Sequence, residues 1–233
     1  MARDVKARRP YESPRRRAQA EATRRDILDA AQKLFEANGY AATTMTEIAT
    51  EAGIALKTVY LAFQTKSGLL RALWNLLLRG DESDRSVAER RWYLDVLEEQ
   101  DPERQLRLNA HNSATGKRRI SAILEVIRSA AAAEPDVATL WQRIQTDYHA
   151  NQRAIVESLD AKHALRPGLD IEHATDILWT VNHPNTWHLL VTQRGWRPEQ
   201  YEQWTADLAC AQLLNGTRQR KRSPRTGGKK TQT

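Results

Sequence analysis

Cysteine is all but missing: Cys210 is the only one in 233 residues. A single thiol excludes an intrachain disulfide and any multi-cysteine zinc site. A long apolar run is missing as well. The richest stretch, "LLRALWNLLL" at 69–78, is broken by Arg71 and Asn75 and is too short to span a bilayer. The opening "MARDVKARRP" is charged and has no apolar core, which argues against a secretory signal. These absences predict a soluble, cytoplasmic protein with no membrane partner. Motifs for phosphate binding and acyl chemistry are absent too. There is no GxGxxG, no P-loop and no GxSxG, and Gly116-Lys117 lacks both the earlier glycine and the following Ser or Thr. The six histidines form no HExxH and no i,i+4 pair, so neither a metal site nor a cofactor is expected.

Charge is plentiful but uneven. The chain carries 36 Lys and Arg against 29 Asp and Glu, a net +7. Residues 1–80 are net +6, residues 81–215 are net −6, and residues 216–233 hold seven basic side chains and no acidic one. A basic front, an acidic middle and a basic tail predict that the ends, not the body, meet a polyanion.

Residues 1–18, with Arg, Lys, Pro10 and Pro14, read as a flexible basic arm. From about Glu21 the apolar spacing turns helical, with Ile27, Ala30, Ala31 and Leu34 on one face and a stop at Gly39. Thr44 and Glu47 have the spacing of a capping box, which starts a second helix reaching about Ala52. A short third helix lies in "GIALKTVYLAF", 53–63, and Thr65 caps a fourth. Further helices are predicted near 85–100, 102–115, 117–133, 136–164, 171–182, 184–194 and 198–215, separated at Pro102, Gly116, Pro135, Pro184 and other breakers. No stretch alternates long enough for a strand. The fold class is all-α.

The stretch from Met45 meets the demands of a helix-turn-helix. Ala49 is small where two helices cross, and Gly53 tolerates positive φ in the turn. Ile48, Ala52, Ile54, Val59 and Ala62 are apolar staples. An ordinary helical hairpin is the alternative. "RRDILDAAQKLFEANGYAATTMTEIATEAGIALKTVYLAFQTKSGLL", 24–70, resembles the N-terminal domain of the TetR family of bacterial transcriptional regulators. Ala31, Leu34, Phe35, Gly39-Tyr40, Thr44, Ile48-Ala49, Ala52-Gly53, Val59-Tyr60, Phe63, Lys66 and Leu69-Leu70 carry the pattern. A weaker match over 164–208 looks like the C-terminal helices through which such regulators form homodimers.

The resemblance implies domains at 19–66 (DNA binding) and 67–215 (effector binding and dimerisation), the latter through helices near 171–215; residues 216–233, basic and with almost nothing apolar, are expected from their composition to form a disordered tail. It implies double-stranded DNA as a partner. The third helix then enters the major groove, which is wide enough to admit it. Thr44, Tyr60 and Lys66 are expected at backbone phosphates, the last two by carry-over from related regulators. Leu56, Lys57, Thr58 and Leu61 are expected at base edges, Lys57 as the donor to guanine. Ala55 departs from the pattern, since many members have a capping Ser or Thr there. Leu56 replaces a commonly small or polar residue, so the groove face is apolar enough to meet thymine methyls.

Six of the seven tryptophans lie beyond residue 80. Trp141, Tyr148, His149, Trp179 and His183 are the candidates to line a pocket for an unidentified small-molecule effector. The competing reading places such residues in the core or a dimer interface. The expected function is a ligand-responsive repressor that binds an inverted-repeat operator as a homodimer. An architectural DNA-binding protein without effector control and a helical enzyme are the alternatives.

Overall fold

The structure is a computed structural model that describes residues 14–79 and 86–215. The expected tail and most of the expected arm lie outside these residues. Ten α-helices are described: α1 (Pro14–Ala42), α2 (Met45–Glu51), α3 (Leu56–Phe63), α4 (Lys66–Arg79), α5 (Arg91–Glu98), α6 (Pro102–Ala130), α7 (Pro135–Ala161), α8 (Ile171–Val181), α9 (Pro184–Trp187) and α10 (Pro198–Leu213). The only pairing of extended backbone among the described residues is an isolated bridge between Leu165 and Leu214.

Four boundaries differ from the sequence reading. The first helix begins at Pro14 rather than Glu21, so residues 14–18 are helical and not an irregular arm. Proline suits the first turn of a helix, where its missing N–H costs no bond. Gly116 does not end a helix. It lies inside the 29-residue α6, whose buried, mostly apolar stripe runs from Leu106 to Ile127. A lone glycine loses to that much burial. The expected 85–100 helix resolves into a 3₁₀ turn at Val87–Glu89 and α5, with extended backbone at Arg90 between them. The expected 184–194 helix is α9 followed by a π-helical segment, His188–Gln193.

Helix α6 is the axis of the molecule, packing against α1, α4, α5, α7, α9 and α10. One core begins in the N-terminal bundle at Ile27, Phe35, Ile48 and Val59. It continues through Leu69, Leu70 and Leu73 of α4 into Ile123 and Ile127 of α6 and Leu140 and Ile144 of α7. A second core joins α5, α7, α8 and α10 around Val96, Ile155, Leu159, Leu178 and Leu213. The shared first core ties α4 to both halves of the chain. Along the α6–α10 seam, Arg107 pairs with Asp207 at 2.9 Å, His111 bonds Glu202 at 3.0 Å and Arg118 pairs with Glu199 at 2.5 Å. Exposed pairs of this kind contribute little each, so apolar burial beneath them holds the seam.

Candidate DNA-binding surface and internal cavity

Helix α2 is fixed at both ends. At its start the Thr44 hydroxyl accepts from the Glu47 N–H at 3.2 Å, and the Glu47 carboxylate accepts from the Thr44 N–H at 2.8 Å. At its end Gly53 adopts φ +66° and donates to the Thr50 carbonyl, while the Ile54 N–H reaches the Ala49 carbonyl at 2.9 Å. This is the Schellman arrangement, and it turns the chain sharply into α3. A Cβ at Gly53 would meet nothing within 4 Å, so glycine is required by φ and not by space. Ala49 is buried, as its place at the crossing requires.

Helix α3 is barely two turns long and is held by Val59 and Phe63, both buried. Those residues are four apart and so share a face. Ala62, expected among the staples, is exposed instead. Its carbonyl accepts from the Arg24 guanidinium, which also lies 4.3 Å over the Phe63 ring. Away from this anchored side, Leu56, Lys57, Tyr60 and Leu61 are exposed, Leu61 by 75 % and Tyr60 by 48 %, while Thr58 is half-buried. Ala55 stands at the N-cap with no side-chain bond, leaving the first amides of α3 uncapped.

Lys66 departs from its expected surroundings. It is half-buried, and its ammonium donates to the carbonyls of Tyr40 at 2.9 Å and Thr43 at 3.0 Å while lying 4.2 Å over the Tyr40 ring. Two of its three N–H groups therefore hold the α1–α2 turn. The buried Thr43 completes that turn by donating to the Gly39 carbonyl at 2.8 Å. Sequence reasoning missed this clamp, because nothing in the spacing of Tyr40, Thr43 and Lys66 announces that the α4 start lies against the α1 end.

A cavity of about 410 Å³ opens among α4, α5, α6 and α7. Its walls include Trp74, Trp92, Tyr93, Ile120, Leu140, Ile144 and Tyr148. Tyr148 is the one of the five expected pocket residues that lines it. Trp141, one position off that face of α7, borders a separate hollow of about 20 Å³ beside Trp187. His149 faces α8, where it lies 3.4 Å from Asp176 and edge-on to Trp179. Trp179 stacks edgewise on His183, with ring centroids 4.7 Å apart. His183 caps α9: its Nδ1 accepts the Asn185 N–H at 3.1 Å, so Nε2 carries the proton donated to Gln145 Oε1 at 2.8 Å. Burial, with the Lys117 charge nearby, pushes its pKa down from the ordinary 6.5 to about 4.

Residues 27–73 match the family model described as bacterial regulatory proteins, tetR family. The N-terminal stretch of the chain thus carries the DNA-binding domain of the TetR family. It is 40% identical over 58 residues to the HTH-type transcriptional regulator AcrR of Shigella flexneri, a match that spans 25% of this chain and only 27% of AcrR. It is 27% identical over 163 residues to a probable HTH-type transcriptional regulator, ArpR, of Pseudomonas putida, covering 69% of this chain and 76% of that protein. Among solved structures, the transcriptional regulator FadR from Bacillus subtilis in complex with stearoyl-CoA superposes with a TM-score of 0.64 at 19% identity, over 80% of this chain and 97% of that one. The last likeness extends the shared fold beyond the N-terminal bundle.

Proposed function

We propose that this protein is a ligand-responsive transcriptional repressor of the TetR family that binds an inverted-repeat operator as a cytoplasmic homodimer. The observation that carries the reading is the free face of α3. A helix too short to be stable alone is braced by a Schellman turn and two buried residues, and it presents Leu56, Lys57, Tyr60 and Leu61 outward. Exposed apolar residues beside a lysine suit a groove that offers both thymine methyls and guanine acceptors. Lys57 and Thr58 are assigned to base reading with the two leucines. Tyr60, the Thr44 edge and the uncapped α3 amides are assigned to phosphates, and Lys66 to the turn that carries them.

Residues 19–66 form the reading head, and residues 67–215 serve effector binding and dimerisation through the helices near 171–215. Helix α4 joins the two functions, because it follows α3 directly and also borders the cavity through Arg71, Trp74 and Leu78. Ser67 at its start donates to Asp136 at the start of α7, 3.1 Å away. A ligand that favours one setting of α4 then alters the spacing of two reading heads through its differential affinity for two states. That the structurally similar FadR is in complex with stearoyl-CoA supports the assignment of a small-molecule effector.

Genome-wide footprinting followed by binding to the recovered site tests the proposal. A two-fold symmetric sequence bound by one dimer is expected. Binding of random duplexes with equal affinity would favour an architectural role.

A further inference from the structure

Lys117 lies mid-way along α6 and is only 2 % exposed, yet it borders the 410 Å³ cavity. Its ammonium donates to the Ser113 hydroxyl at 2.5 Å and to Asn182 Oδ1 at 2.9 Å, and lies 5.3 Å from the centre of the Tyr201 ring. These partners are all neutral. Among the described residues no carboxylate pairs with it. Removing an ammonium from water without a counter-ion is costly, and burial here drives the lysine well below its usual pKa. Asn182, its principal partner, has a side-chain N–H group with no acceptor of its own, so the cluster is also incomplete on the donor side.

The rest of the cavity has the same sign. Among the described residues, Arg71 and Arg143 border it with Lys117, and Asp147, 3.7 Å from Arg143, is the single acidic residue on its lining. The remaining surface is largely aromatic and aliphatic. Such a site disfavours a cation and leaves the buried ammonium to be neutralised from outside the chain.

We infer that the effector is an apolar organic anion, a carboxylate or a group of equivalent charge on an aromatic or aliphatic body, whose head reaches the Lys117–Ser113 pair. The inference rests on the proposed reading of this cavity as the effector site. The apolar body fills the space between Trp74, Tyr93 and Ile144, and the anion supplies the counter-ion that the fold withholds. A charge-assisted hydrogen bond to a buried lysine gives both the affinity and the discrimination.

The test uses matched probes of one shape: naphthalene-2-carboxylate against naphthalene-2-carboxamide, and decanoate against decanamide. Their dissociation constants are measured by titration calorimetry on the full chain. The wild type is expected to prefer at least one carboxylate over its amide by roughly tenfold or more, about one hydrogen-bonded charge pair. Lys117→Met is expected to reduce that ratio to about one, and Lys117→Arg to preserve part of it. Asn182→Asp places a carboxylate against the ammonium from within the chain and is expected to abolish the preference independently. Equal binding of acid and amide by the wild type, or an undiminished preference in Lys117→Met or Asn182→Asp, overturns the anion assignment while leaving the effector cavity standing. Failure of all four probes to bind at millimolar concentration overturns both.

Discussion

Lys66 Nζ lies 2.9 Å from the Tyr40 carbonyl oxygen and 4.2 Å from the centre of the same residue's ring. One side chain thus binds both the backbone and the ring of a residue on α1, and through Thr43 it also reaches the last residue before the α2 cap. The turn that orients α2, and with it α3, is set from the start of α4.

Lys66→Ala is therefore expected to lower stability by about 1–2 kcal/mol, the scale of a charged hydrogen bond lost from a half-buried carbonyl pair. Urea denaturation measures this. A salt slope that falls by one unit with no loss of stability would instead mark Lys66 as a phosphate contact alone.

Lys57, in contrast, is exposed on α3 and free of any structural bond among the described residues. Lys57→Ala is expected to leave stability within about 0.5 kcal/mol of wild type and to change which bases are preferred, at ~1–3 kcal/mol for a good base contact. Selection of bound sequences from a random pool reads the outcome. An unchanged preference profile would reassign Lys57 to the phosphate backbone.

The uncapped start of α3 offers a third test. Ala55 holds extended backbone angles, φ −62° and ψ 134°, and it bonds no amide through its side chain. Ala55→Ser supplies the missing acceptor without changing the backbone and is expected to add ~0.5–1 kcal/mol of stability. Thermal unfolding checks it. No gain would mean that the amides of the first turn already find equivalent partners in water.

How far these features were legible before the fold was known depends on their range in sequence. The Thr44–Glu47 box, the Gly53 turn and the Val59 anchor are local, and residue types at fixed spacing announce them. The interior of α6 shows where local signals mislead: Gly116 reads as a break, but the burial of Ala114, Ile120 and Ile123 on either side outweighs it. The Lys66 clamp joins residues 23 and 26 positions apart and the Lys117–Asn182 bond residues 65 apart, relations set by helix packing and not by any pattern. The same holds for the cavity. Tyr148 faces it while its neighbour His149 faces α8, a distinction of one helical position that spacing alone cannot assign.

The C-terminal residues 216–233 hold seven basic and no acidic side chains and lie outside the described residues. If they add a sequence-blind contact to DNA, their deletion is expected to weaken specific and random duplex binding together and to flatten the salt dependence of both. Fluorescence anisotropy at a series of salt concentrations measures each. Unchanged affinity at low salt would show that the tail makes no contact with the duplex.

His183 makes stability depend on pH in a stated direction. Its Nδ1 accepts the Asn185 N–H and its Nε2–H is given to Gln145, so the ring fits its site only when neutral. Burial and the nearby Lys117 charge lower its pKa from 6.5 to about 4. The unfolded chain therefore binds a proton that the folded chain refuses as pH falls below about 6.5. Stability is fully present above that value and is lost progressively on acidification towards pH 4. Protonation would also remove the acceptor that caps α9 and leave two N–H groups where only one partner waits. Chemical denaturation at half-unit steps between pH 7.5 and 4.5 is expected to show this decline. His183→Asn keeps a side-chain acceptor at the cap but cannot titrate, and it is expected to flatten the slope in this window even though it lowers stability at neutral pH. An identical slope in the variant would assign the acid sensitivity to other groups.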